Sequence, residues 1–196
     1  MSTSSKPVGS QLGWQVLDVR HPYQNQMFTL REDRLRIRGG EETTYAYMER
    51  SDAVIVVPVT RDGKMILIRQ YRYPVDDRCL EVTAGGSHDT GDASLEEIVR
   101  KEMREEIGAT CQDIQYITWF YTSSSITNER CHVFLALDVE INKEQNSEET
   151  EDIEIQIAPI ETALDLARRG AVKTGPCALA ILLCEYSLRE RGLLQA

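Results

Sequence analysis

Three glutamates, Glu102 and then Glu105 and Glu106 three and four residues on, stand at the end of a stretch that opens on the apolar Leu95, Ile98 and Val99. At roughly 100° per residue these six side chains share one helical stripe. A face that begins as core therefore ends as three carboxylates within about one turn. Like charges at that spacing repel, the more so near a buried surface. Cations relieve the repulsion, and hard oxygen donors on one face suit Mg²⁺ or Mn²⁺. The competing reading is a solvated Glu-rich helix beside Lys101 and Arg104. The text upstream favours the metal. Glu81 lies in a strand-like segment, and Ala84-Gly85-Gly86 follows it. Glycines there let backbone carbonyls and amides approach a ligand or ion closely.

The elements that must position these residues follow from periodicity and turn chemistry. Ser94-Leu-Glu-Glu97 has capping-box spacing, so a helix is expected from Ser94 as N-cap to a stop at Gly108. Ala53–Val59 and Met65–Tyr73 read as strands joined by a turn at Arg61-Asp62-Gly63-Lys64, with Pro74 ending the second. Leu80–Thr83, Ile114–Tyr121, Cys131–Val139 and Ile153–Ile157 read as further strands. Helices are expected over Glu161–Arg169, closed by Gly170, and over Pro176–Arg191. Upstream, short β-like pieces at Trp14–Leu17, Met27–Leu30, Leu35–Arg38 and Thr44–Met48 alternate weakly, as in a small, partly exposed sheet. The whole is a mixed α/β (α+β) pattern rather than a run of βαβ units. The expected organisation is a flexible N-terminus over 1–12, a β-arm over 13–48 and one domain over 49–196.

Composition narrows the function classes. The chain has 196 residues, 41% hydrophobic and 28% charged, with a formal charge of −10. That is a folded-domain balance, and such an acidic chain is a poor nucleic-acid binder. If its substrate carries phosphate, positive charge from outside the sequence must help to hold it. Apolar runs are too short to span a bilayer, and Met1–Ser10 lacks a signal-peptide core, so the expected compartment is the cytoplasm. Five cysteines without a CxxC pair read as reduced and buried. His21, His88 and His132 have no metal-ligand spacing. Ser123–Ser125 lacks a nucleophile-elbow context.

Here the sequence resembles the Nudix hydrolase family. Its box runs Gly, five residues, Glu, seven residues, then Arg-Glu-apolar-x-Glu-Glu-x-Gly-apolar. Lys101-Glu102-Met103-Arg104-Glu105-Glu106-Ile107-Gly108-Ala109 matches the second half with Lys in place of Arg. Gly86 to Asp92 fits the first half with Asp for Glu, and eight residues rather than seven then precede Lys101. Ile68-Arg69-Gln70-Tyr71-Arg72-Tyr73-Pro74 and Leu80-Glu81-Val82-Thr83-Ala84-Gly85 look like the approach to the box in ADP-ribose and nucleoside-diphosphate-sugar pyrophosphatases. One departure stands at Thr122-Ser123-Ser124-Ser125, where ADP-ribose enzymes usually carry a Ser-Pro-Gly turn.

The resemblance implies a Nudix-type α/β/α sandwich with a mixed sheet, and homodimers formed through the β-arm. It implies a Mg²⁺-dependent (or Mn²⁺-dependent) pyrophosphohydrolase that splits a nucleoside diphosphate linked to another moiety. Alternatives are a nucleotide-sensing Nudix module without catalysis, or an enzyme for oxidised nucleotides or dinucleotide cofactors. Glu102 and Glu106 would ligate the ion, Glu105 would complete the cluster, and a carbonyl of Ala84 or Gly85 would join them. Lys101 would orient a glutamate. The acidic stretch Glu149-Thr150-Glu151-Asp152 looks like the family's late catalytic loop, which makes Glu149 or Glu151 the base, with Glu148 and Glu154 behind them. Arg69, Arg72, Glu81 and Gly86 are the candidate substrate contacts. Strand alternation puts Arg69 and Arg72 on opposite faces, so one of the two is expected at the site.

Overall fold

A computed structural model describes residues 6–88, 91–142 and 152–194. Contacts divide the chain into two compact units, residues 1–51 with 121–129, and residues 52–120 with 130–196.

In the first unit, helix α1 (Pro7–Gln11) precedes strands β1 (Gln15–Gln24), β2 (Thr29–Arg36) and β3 (Glu42–Glu49). They form an antiparallel sheet in the order β1-β2-β3. β2 is one strand where the sequence suggests two short ones. The charged stretch between them hides it: Arg31 and Asp33 are both buried and bonded to each other at 2.6 and 3.0 Å. A paired charge can occupy an inward position that alternation reserves for apolar side chains. Residues 121–129 join this unit through Tyr45, whose hydroxyl donates to the Ser125 carbonyl at 2.7 Å, and through a Met48–Thr127 bridge. A cavity of about 390 Å³ in this unit, lined by Trp14, Tyr45, Tyr47 and Tyr121 among others, contains none of the expected site residues.

The second unit carries β4 (Ala53–Thr60), β5 (Lys64–Arg72), β6 (Asp77–Glu81), β7 (Ala84–Gly86), α2 (Leu95–Ile107), β8 (Ala109–Thr110), β9 (Asp113–Tyr121), β10 (Arg130–Ile141), β11 (Ile153–Pro159), α3 (Ile160–Arg168), α4 (Gly175–Leu183) and α5 (Glu185–Glu190). The sheet runs β11-β5-β4-β10-β8, with β6 on β5, β7 on β4 and β9 on β10. β4 and β10 are parallel while β5 pairs antiparallel with β6 and β11, so the sheet is mixed, as expected. Central β4 is buried on both faces, which explains its unbroken apolar run. Val54 and Val56 pack with Ile98, Val99, Met103 and Ile107 of α2. Ile55, Val57 and Val59 pack with Ile160 and Leu164 of α3, Ile181 of α4 and Leu188 of α5. Helices thus cover both sheet faces in an α/β/α sandwich.

α2 begins and ends where its caps dictate. The Ser94 hydroxyl accepts from the Glu97 N–H at 3.3 Å, and Glu97 Oε2 accepts from the Ser94 N–H at 2.7 Å. Gly108 closes the helix in the left-handed region (φ 59°, ψ 28°). Ser94→Ala is expected to cost about 1 kcal/mol in urea unfolding, and no loss of stability would contradict the capping assignment. The C-terminal helix expected over Pro176–Arg191 is two helices. They divide at Cys184, whose dihedrals stay in the right-handed helical region (φ −74°, ψ −15°), so no glycine or proline marks the break.

All five cysteines are buried and none forms a disulfide. Burial pushes the thiols of Cys177 and Cys184 up to about 12, which keeps them protonated and unreactive. Among the described residues no helix is long and apolar enough to cross a membrane.

Candidate active site

The acidic stripe of α2 faces β7. Glu102 and Glu106 are buried, at 8% and 1% exposure. The Ala84 N–H donates to Glu106 Oε2 at 3.2 Å. A Cβ on Gly85 would lie 2.1 Å from Glu102 Cδ and 2.3 Å from its Oε1. The Glu102 carboxylate therefore rests directly on the Gly85 backbone, and only a residue without a side chain leaves it that place. Glu105 differs from its neighbours. Its side chain is 34% exposed and meets Lys101 Nζ at 3.3 Å, while Lys101 stands 3.7 Å from Glu102 Oε1. The wheel puts all three acids on one stripe; packing draws two of them inward.

β5 and β6 bring a second acid and its cation. Arg72 donates through Nε and Nη2 to the two oxygens of Glu81 at 3.1 and 2.6 Å. Glu81 is 1% exposed, whereas the Arg72 side chain remains 40% exposed. A buried carboxylate thus holds an arginine that a solvent-borne anion can still reach. Burial alone would lower the Arg72 pKa, but the Glu81 bonds and the nearby charge of Glu106 outweigh it, and the value is raised. Ala84, three residues beyond Glu81, bonds Glu106 through its N–H, which brings the end of β6 beside the α2 acids. Arg69, on the other face of β5, donates instead to the Arg78 carbonyl at 3.2 Å.

Gly86 ends β7, and a Cβ there would meet His88 Nδ1 at 2.8 Å. Beyond it the loop is tied down by Ser87, whose N–H and hydroxyl both donate to the Asp52 carbonyl oxygen at 2.9 and 2.6 Å. The Asp52 carboxylate pairs with Arg130 at 2.7 Å and lies 3.3 Å from His132 Nε2. Burial pushes the Asp52 pKa up, but the bonds to Arg130 and His132 prevail and lower it. A depressed folded value means that stability is fully present above the unfolded pKa and is lost as pH falls through the folded one. Asp52→Asn should therefore cost about 1–3 kcal/mol at neutral pH, with the gap from wild type closing in acid. A gap independent of pH in thermal unfolding would contradict this role. Asp52, Arg130 and His132 carry no motif in the sequence, and only the fold brings them together.

Of the expected site residues, Glu81, Glu102, Glu105, Glu106, Arg72, Ala84 and Gly85 gather here, with Gly86 leading into the loop. Glu149 and Glu151 lie outside the described residues, as does Glu148, while Glu154 is exposed on β11 across from Arg69. Four carboxylates (Glu81, Glu102, Glu105, Glu106) face two cations (Arg72, Lys101), a formal excess of two negative charges. Among the described residues no three Asp, Glu, His or Cys side chains form a ready-made metal cage. Buried oxygen donors with excess negative charge nevertheless fit a hard divalent ion, and Mg²⁺ is commonly held by one or two carboxylates with water and substrate phosphates completing its shell. Glu102 and Glu106 are the residues that can hold one, with the Ala84–Gly85 backbone packed against them.

Comparison with known proteins places this chain in a family. The model of the NUDIX domain matches residues 49–175. The chain belongs to the Nudix family, and the enzyme class its sequence led us to expect, a Nudix pyrophosphohydrolase, holds. It is 29% identical over 160 residues to an ADP-ribose pyrophosphatase of Bacillus subtilis (strain 168), covering 81% of this chain and 85% of that protein. It is 29% identical over 147 residues to a GDP-mannose pyrophosphatase of Salmonella arizonae, covering 71% and 74%. The fold is shared with a solved ADP compounds hydrolase at a TM-score of 0.80 and 22% identity, over 92% of this chain and 97% of that one.

Proposed function

We propose that this protein hydrolyses a nucleoside diphosphate linked to a sugar or similar moiety, of ADP-ribose or NDP-sugar type. The products are a nucleoside monophosphate and the phosphorylated moiety, and the reaction depends on Mg²⁺, with Mn²⁺ able to replace it. The observation that carries the reading is the buried pair Glu102 and Glu106 seated on Gly85 and Ala84, with Arg72 held open to solvent beside them. The two relatives above are named for different bases and sugars, and the diphosphate is what such substrates share.

A diphosphate resists attack because its own charge repels nucleophiles. A divalent ion at Glu102 and Glu106 would neutralise phosphate oxygens and acidify a nearby water. Arg72 offers the diphosphate its Nη1 edge, since Nε and Nη2 are committed to Glu81. Lys101 holds Glu105 at the margin of the cluster, from which Glu105 completes it. In the chemical step the water oxygen bonds to phosphorus, a bridging P–O bond breaks, and the leaving phosphate takes the electron pair. The proton lost by water passes to a carboxylate of the late acidic segment, Glu149 or Glu151.

The same reading makes the protein a homodimer through its N-terminal strands, supported by the exposed Trp14, Tyr23 and Met27 of that unit. It makes the enzyme one of the reducing cytoplasm, which suits five cysteines that form no disulfide. The test is a panel containing ADP-ribose, GDP-mannose, other NDP-sugars and dinucleotides, each incubated with Mg²⁺ or with EDTA. Release of nucleoside monophosphate with Mg²⁺ and its loss in EDTA are expected. Binding without release would make the protein a sensing module, and release indifferent to EDTA would remove the ion from the reaction.

A further inference from the structure

Thr174 occupies the N-cap position of α4 in an extended conformation (φ −72°, ψ 104°), yet its side chain makes no capping hydrogen bond. A threonine there ordinarily satisfies a helix N–H and contributes about 1 kcal/mol. Instead its hydroxyl donates to Glu81 Oε1 at 2.6 Å, across 93 residues of sequence. Pro176 within the first turn removes one N–H that would otherwise need a partner. The same turn is seated on the strand beside Glu81, since Cys177 Sγ lies 3.9 Å from the Val82 carbonyl oxygen.

We infer that Thr174 is a positioning residue for substrate binding: its hydroxyl fixes the Glu81 carboxylate, and Glu81 in turn sets the orientation in which Arg72 meets the diphosphate. The inference rests on the reading of Arg72 as a phosphate contact. Glu81 Oε1 receives both the Thr174 hydroxyl and Arg72 Nε, while Oε2 receives Arg72 Nη2. With the Thr174 bond in place, the carboxylate plane is held by donors from two directions. Without it, the carboxylate turns with the half-exposed arginine instead of anchoring it. Loss of the hydroxyl therefore loosens Arg72 while leaving the α2 acids in place. That pattern weakens substrate binding more than turnover.

The experiment compares Thr174→Val, Thr174→Ser and Arg72→Lys in the full chain, using whichever panel substrate the wild type hydrolyses. KM and kcat are measured with Mg²⁺, and the substrate Kd by calorimetry in EDTA. Thr174→Val is expected to raise KM and Kd about tenfold with kcat within about twofold, and Thr174→Ser to restore both. Arg72→Lys should raise KM by at least as much, and adding Thr174→Val to it should raise KM no further. Circular dichroism melting checks the fold, and Thr174→Ala carries the same comparison if the valine variant does not fold. A wild-type KM for the Thr174 variants beside a raised KM for Arg72→Lys would overturn the Thr174 role alone. An unchanged KM for Arg72→Lys would instead overturn the reading of Arg72 and this inference with it. Additive effects in the double variant would show that Thr174 acts elsewhere.

Discussion

Glu106→Gln is expected to lower kcat by about three orders of magnitude, on the order of 4 kcal/mol of transition-state stabilisation, while the protein stays folded. The substitution keeps the shape and one acceptor oxygen for the Ala84 N–H, and it replaces the charged second oxygen by a neutral amide NH2. Glu106 is 1% exposed and shares a helix face with Glu102, so neutralising it relieves repulsion from Glu102 and gives up attraction to Arg72. The melting temperature without metal should therefore stay close to that of wild type. Mg²⁺ should raise the melting temperature of wild type and leave the variant unmoved, because only an ion bound to the folded state adds stability. Wild-type turnover of Glu106→Gln at saturating Mg²⁺ would contradict the ligand assignment.

Gly85→Ala should lower activity by about two orders of magnitude through geometry alone. The added methyl would fall 2.1 Å from Glu102 Cδ, so the carboxylate must swing away. Glu102 is a flexible side chain and can yield, which spares the fold. What it cannot do is yield and keep its seat beside Glu106. The expected result is a cooperatively folding enzyme with near-native melting and a strongly raised Mg²⁺ requirement. Activity close to wild type would show that the Glu102 position in the structure is not the working one.

These effects trace to residues whose legibility in the sequence differed for physical reasons. α2 was readable in full, because its apolar stripe, capping box and terminal glycine are local signals that agree. The acid cluster was readable as a stripe, but the wheel could not separate Glu105 from Glu102 and Glu106. That division comes from β7, which packs against two of the three. Alternation anticipated that Arg69 and Arg72 would part company, and identified neither as the one paired with Glu81. Strand β2 is hidden in the sequence, since the buried Arg31–Asp33 pair looks like surface charge until its partners are known. Thr174 and Asp52 carried no signal. Each acts through a partner about eighty or more residues away, and spacing along the chain holds no record of such contacts.

The most direct test is a crystal soaked in Mn²⁺ and measured at the manganese absorption edge. An anomalous peak is expected within coordination distance of Glu102 and Glu106 and beside the Ala84–Gly85 backbone, absent from the Glu106→Gln crystal. A map with no peak at that place, from crystals of an enzyme active in the same Mn²⁺ concentration, would contradict it.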